Sequence, residues 1–161
     1  MAVLSKNKRG ARSVEISISG NSLRLAPASL SYAARDVLSR RKQAKSFSCA
    51  IVFVGAAKMH ALVPGRARRA HTPNVLSFPL GDTRFLRGDI FICVPVARSE
   101  ARRYGIPVGA YAAFLAVHGM LHIAGFSHEK SRRARINMEA HERAIMKHLF
   151  PHSSIHSYLA Q

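Results

Sequence analysis

Acidic side chains are scarce in this chain. Eight Asp and Glu stand against twenty-five Lys and Arg, giving a formal charge of +17 and a pI near 11.4. That imbalance attracts polyanions and speeds encounters with them, whatever the fold. The basic residues are spread through the chain rather than gathered on one amphipathic stripe, which favours nucleic acid over an anionic membrane as partner. Cysteine is nearly absent. Cys49 and Cys93 each sit inside an apolar run, so reduced core thiols are expected and a secreted disulfide framework is not. The first thirteen residues, MAVLSKNKRGARS, are basic and acid-free but lack the apolar h-region of a secretory signal. A basic tail and a cytoplasmic address are expected. The longest apolar stretch, residues 108–126, carries His118 and His122 within it, which argues against a membrane span. Repeats, low-complexity blocks and linkers are missing too.

What remains is ordinary for one domain: 161 residues, 48% hydrophobic and 20% charged, enough to bury a core. Residues 13–19 (SVEISIS) alternate polar and apolar and predict a strand with one buried face. After Pro27, Leu30, Ala34, Val37 and Leu38 recur at helical spacing. Residues 47–54 (FSCAIVFV) read as a central strand buried on both faces. A short helix at 59–62 ends at Pro64-Gly65, a basic loop spans 66–71, and 75–78 (VLSF) reads as an edge strand closed by Pro79. A strand at 88–94 precedes a helix from Pro95 to about residue 104. Pro107 opens a long apolar helix that Gly125 can stop, and a last helix is expected over about 129–149. Four strands and about five helices in this order indicate an α+β or mixed α/β domain. The expected division is a basic N-terminal tail at 1–12, a single domain at 13–150 and a C-terminal tail at 151–161.

The chemistry concentrates in His118-Gly-Met-Leu-His122-Ile-Ala-Gly125-Phe-Ser-His128. Histidines four apart on a helix project from one face, one turn apart, so both imidazoles can reach one ion. Gly125 permits a positive φ, letting the chain fold back so that His128 supplies a third nitrogen. Three protein ligands with one open corner describe a catalytic rather than a structural zinc site. Zinc in such a site can bring the pKa of water to about 7. The spacing is shared with the metzincin pattern H-E-x-x-H-x-x-G-x-x-H, whose glutamate is the general base. Here that position is Gly119, so the protease mechanism lacks its carboxylate.

The segment from His118 to His128 resembles the H-G-x-L-H-L-x-G-Y-D-H motif of the YbeY endoribonuclease family in order and spacing. Asn74-Val-Leu-Ser-Phe-Pro79 resembles the family's T-(D/N)-V-L-S-F-P segment. Gly88-Asp89-Ile90 resembles its G-D-I strand, and Met138-Glu139-Ala140 with Ile145-Met146 resembles its final helix. The resemblance runs from about residue 46 to 149. It implies an α+β sandwich with a mainly four-stranded mixed sheet and one zinc ion held by a helix and the following loop. It implies a zinc-dependent, single-strand-specific endoribonuclease acting on ribosomal RNA, at the 3′ end of the small-subunit 16S rRNA, and in ribosome quality control. The family's Tyr-Asp before the third histidine is Phe126-Ser127 here, and its threonine is Pro73, with Thr72 one place earlier. Its cleft arginine falls on Ala67 by ungapped counting, so a one-residue shift brings in Arg66, the favoured choice, or Arg68.

Arg66, Arg68 and Arg69 are thus candidates for stabilising phosphoryl charge and holding the strand, and Arg132 and Arg133 for RNA-backbone contact. Two rival readings stand beside this one. A non-catalytic rRNA-binding assembly factor would use zinc only for stability. A metallopeptidase would need a carboxylate from elsewhere, with Asp89 and Glu100 as the nearest choices.

Overall fold

The computed structural model describes residues 12–63 and 71–160. Arg66, Arg68 and Arg69 lie outside them. The chain is α+β. Four strands, β1 (Ser13–Ser19), β2 (Ser46–Val54), β3 (Val75–Pro79) and β4 (Phe85–Cys93), form one sheet in the order β1-β2-β4-β3. The pairs β1/β2 and β2/β4 are parallel, and β3 closes the edge antiparallel to β4. Among the described residues six helices accompany it: α1 (Pro27–Ser39), α2 (Ala56–Leu62), α3 (Val94–Arg103), α4 (Val108–Ile123), α5 (Arg132–Leu149) and α6 (Ile155–Leu159).

Strand β2 is central, but it is fully buried on one face only. Phe47, Cys49, Ile51 and Phe53 are buried while the residues between them are half-buried. The buried face continues through Ile16 and Ile18 on β1 and Gly88, Ile90 and Ile92 on β4, in register. Helix α4 lies on that face. It is apolar nearly all round, as a helix enclosed by neighbours must be, and it is packed by α1, α3 and α5 as well as by β3 and β4. Two glycines let it approach closely. A Cβ on Gly119 would come within 2.9 Å of the Ile90 side chain, and one on Gly88 within 2.7 Å of Ile123. Cys49 and Cys93 are free and buried as expected. Burial, reinforced by the charge of Asp89, pushes the Cys49 thiol up to about 12, which leaves it protonated and inert.

Helix α2 begins at Ala56 rather than Met59 and β4 at Phe85 rather than Gly88, and two further differences have a visible cause. Helix α5 begins at Arg132 rather than near Glu129, because the Ser131 hydroxyl accepts the Ala134 N–H at 3.0 Å and caps the helix there. The segment expected as a C-terminal tail instead carries α6. Ile155 is fully buried, and Tyr158 packs against Tyr104, Tyr111 and Phe114.

Candidate metal centre

The end of α4 builds the site. The Gly125 N–H donates to the His122 carbonyl (2.9 Å) and the Phe126 N–H to the Leu121 carbonyl (3.0 Å), with Gly125 at φ +81°. This pair of bonds is a Schellman termination, with Phe126 and Leu121 buried beside it. The chain reverses, and Ser127 accepts the Glu129 N–H through its hydroxyl (3.2 Å), shaping the turn that carries His128. An aspartate at position 127 could accept the same bond, so the serine preserves the loop without the carboxylate.

His118, His122 and His128 come together. One ring nitrogen from each lies within 4.8 Å of the others, His118 and His122 being half-buried and His128 exposed. The tautomers of the helical pair follow from their partners. His122 Nδ1 faces the Phe126 carbonyl at 3.1 Å, and His118 Nδ1 faces Glu142 Oε1 at 2.7 Å. A carbonyl or an ionised carboxylate only accepts, so each Nδ1 carries its hydrogen. Both Nε2 atoms then present lone pairs, and they face each other at 3.0 Å. Two lone pairs at that distance repel unless a cation sits between them. Tetrahedral zinc, with bonds of about 2.0–2.1 Å, sets ligand nitrogens roughly 3.3 Å apart. The helical pair is already near that spacing, and His128, on an exposed turn, has only to close inward.

Burial first, then the charged forms of His118 and His128, bring His122 down to about 4. An unfolded histidine titrates near 6.5. Between those values the unfolded chain binds a proton that the folded chain refuses, so stability falls as pH falls through the window. In the metal-free protein, urea midpoints are expected to decline from about pH 6.5 to about pH 4.5, more steeply than in His122→Gln. Equal slopes in the two proteins would contradict a desolvated His122.

Glu142 is the residue that sequence reasoning missed. It is 5% exposed, the one buried charged residue among those described, and it reaches the site from α5. The available signal was a glutamate inside the apolar stripe of Met138, Ile145 and Met146. Of the other predicted residues, Arg132 and Arg133 stand exposed in the first turn of α5, just past the metal loop.

The carboxylates considered for a peptidase lie elsewhere. Glu100 Oε2 accepts from Asn74 Nδ2 (2.8 Å) and the Tyr111 hydroxyl (2.9 Å). Asp89 alternates with Gly88 and Ile90 on β4 and so points to the sheet face away from α4. At Gly119, where a metzincin has its glutamate, the structure packs Ile90. Among the described residues no single helix is long and apolar enough to cross a membrane.

The sequence profile of the family described as endoribonuclease YbeY matches residues 15–150. Proteins named endoribonuclease YbeY from Thiobacillus denitrificans, Burkholderia ambifaria and Bordetella petrii are 39%, 41% and 46% identical over 102, 103 and 98 residues. Those matches take in 62%, 62% and 58% of this chain and 69%, 58% and 61% of the relatives' own lengths. A solution structure of a Thermotoga maritima protein superposes with a TM-score of 0.58 at 19% identity, over 82% of this chain and 87% of that one, a likeness of fold. With two histidines on the end of α4, a third on the turn that follows, and a profile match through nearly the whole described fold, this chain belongs to the YbeY endoribonuclease family.

Proposed function

We propose that this chain is a zinc-dependent endoribonuclease specific for single-stranded RNA. Its proposed role is the maturation of rRNA at the 3′ end of the 16S species and ribosome quality control, in the cytoplasm. The observation that carries the reading is the pair of Nε2 lone pairs facing each other at 3.0 Å beside a third, exposed imidazole. Three imidazoles with a vacant corner suit zinc in a hydrolytic role. When bound, the ion supplies Lewis acidity toward a phosphoryl oxygen and toward water.

The chain's own residues do the rest. Glu142 and the Phe126 carbonyl hold protons on the two Nδ1 atoms and so aim both Nε2 atoms inward. The charge of +17 draws in the polyanion. Arg66, or Arg68 in its place, stabilises charge growing on the non-bridging oxygens through paired hydrogen bonds. Arg68, Arg69, Arg132 and Arg133 hold the backbone of the strand. Among the described residues Glu100 is committed to Asn74 and Tyr111, Asp89 faces the other side of the sheet and Glu142 holds His118 Nδ1, so the peptidase reading lacks a free carboxylate base.

Cleavage of a labelled single-stranded RNA by native protein, by chelated protein and by chelated protein resupplied with zinc tests the reading, with a peptide assayed in parallel. Cleavage is expected to vanish on chelation and return with zinc, the peptide staying intact. Undiminished cleavage after confirmed metal loss would contradict it. RNA binding with no cleavage in any arm would favour the assembly-factor alternative.

A further inference from the structure

Beside the histidines a groove of about 670 Å³ opens between the α1–β2 corner and the β3–β4 hairpin loop, with His122 in its wall. Four cations line it: Arg40, Arg41 and Lys42 from the corner, and Lys130 from the metal loop. One anion, Asp82, faces them from the hairpin, its Oδ1 occupied by the N–H groups of Arg84 and Phe85 (2.7 Å each). We propose that this groove is a phosphate-binding track that leads a single RNA strand to the metal centre, with Arg41, Lys42 and Lys130 as its phosphate contacts. The proposal rests on the RNA reading above.

Arg40 is not counted, because its guanidinium is already committed. It pairs with Asp36 and donates to His141 Nδ1 at 2.7 Å. Arg41 is different. Its Nε donates to the Ala124 carbonyl (2.6 Å) and its guanidinium lies 3.8 Å over the Phe126 ring. Those two contacts fix the fork in place in a residue that lines the groove. Half-burial lowers its pKa from the usual value, yet an arginine keeps its charge. A guanidinium so held loses little further freedom on taking an anion, and its fork matches phosphate oxygens. The same contacts press Arg41 on the residue whose carbonyl sets the His122 tautomer, so the track ends where the metal ligands begin. Lys42 and Lys130 are exposed and free to follow a mobile strand.

The test is binding of a short single-stranded RNA to the chelated full-length protein, by anisotropy across a salt series, so that cleavage plays no part. Lys42→Gln with Lys130→Gln is the groove variant. Arg102→Gln with Arg103→Gln removes equal charge from exposed positions in the last turn of α3, which precedes the N-terminal end of α4. Each phosphate contact on a single strand contributes about 0.7 to the salt slope, so the groove variant should lose about 1.4 from it and bind roughly 10- to 30-fold more weakly at 0.1 M salt. Arg41→Gln should weaken binding by about 5-fold or more. The Arg102/Arg103 variant should change affinity by less than about 3-fold, since charges beyond the Debye length are screened. Equal losses in the two double variants would overturn the groove while leaving the RNA reading standing. No RNA binding by the native protein would overturn both.

Discussion

His122→Ala is expected to strip the chain of bound zinc and of RNA cleavage together. In the proposed site His122 is the middle ligand, its Nε2 3.0 Å from that of His118, and its loss leaves one helical imidazole and an exposed one on a turn. Perturbing a partner behind a metal ligand typically costs 10- to 100-fold in affinity, so removing a ligand itself should cost more than about 100-fold. Fold is not expected to suffer in proportion. The ring is half-buried at the end of α4, and the Schellman bonds through Gly125 and Phe126 are backbone bonds that an alanine retains. Elemental analysis beside a thermal melt separates the two effects. Metal loss with a near-native melting temperature is the expected pattern. Full zinc occupancy in the variant would remove His122 from the ligand set.

Glu142 is expected to give the second-largest change and a graded one. Its carboxylate accepts from His118 Nδ1 at 2.7 Å in a buried setting. Glu142→Gln keeps an oxygen acceptor there and so keeps the tautomer, but it removes the negative charge that raises the basicity of Nε2. A loss of about 10-fold in zinc affinity is expected. Glu142→Leu removes the acceptor altogether. It leaves a part-buried N–H without a partner and lets the ring turn, so about 100-fold is expected. Competition with a chelator of known affinity measures both. If Gln and Leu proved equal to the native residue, Glu142 would be a packing residue that merely happens to touch the site.

The difference between what the sequence made legible and what it hid is physical. His118, His122 and Gly125 could be read directly because helical periodicity and a positive-φ stop are local properties of a few residues. The strands β1 and β2 were readable for the same reason, through their alternation or apolar run. Glu142 was hidden because its meaning depends on α5 folding back over α4, which no local pattern states. The carboxylate at His118 Nδ1 comes from that other helix. The start of α5 was misplaced because a single hydroxyl, Ser131, decides it. Helix α6 was missed because five residues carry too little periodicity; Tyr158 holds it by packing among Tyr104, Tyr111 and Phe114, which are distant in sequence. Arg41 and Lys42 carry no local pattern that sets them apart in the sequence. Only the sheet brings them beside His122.

Zinc-edge X-ray absorption on the purified full-length protein bears on the three-imidazole site itself. One zinc per chain is expected, with four light nitrogen or oxygen scatterers at about 2.0–2.1 Å and multiple scattering from three imidazoles. In His128→Ala, one imidazole should disappear from that shell while the pair on α4 remains. A spectrum dominated by oxygen or sulfur, or one unchanged in His128→Ala, would mean that these rings do not share an ion.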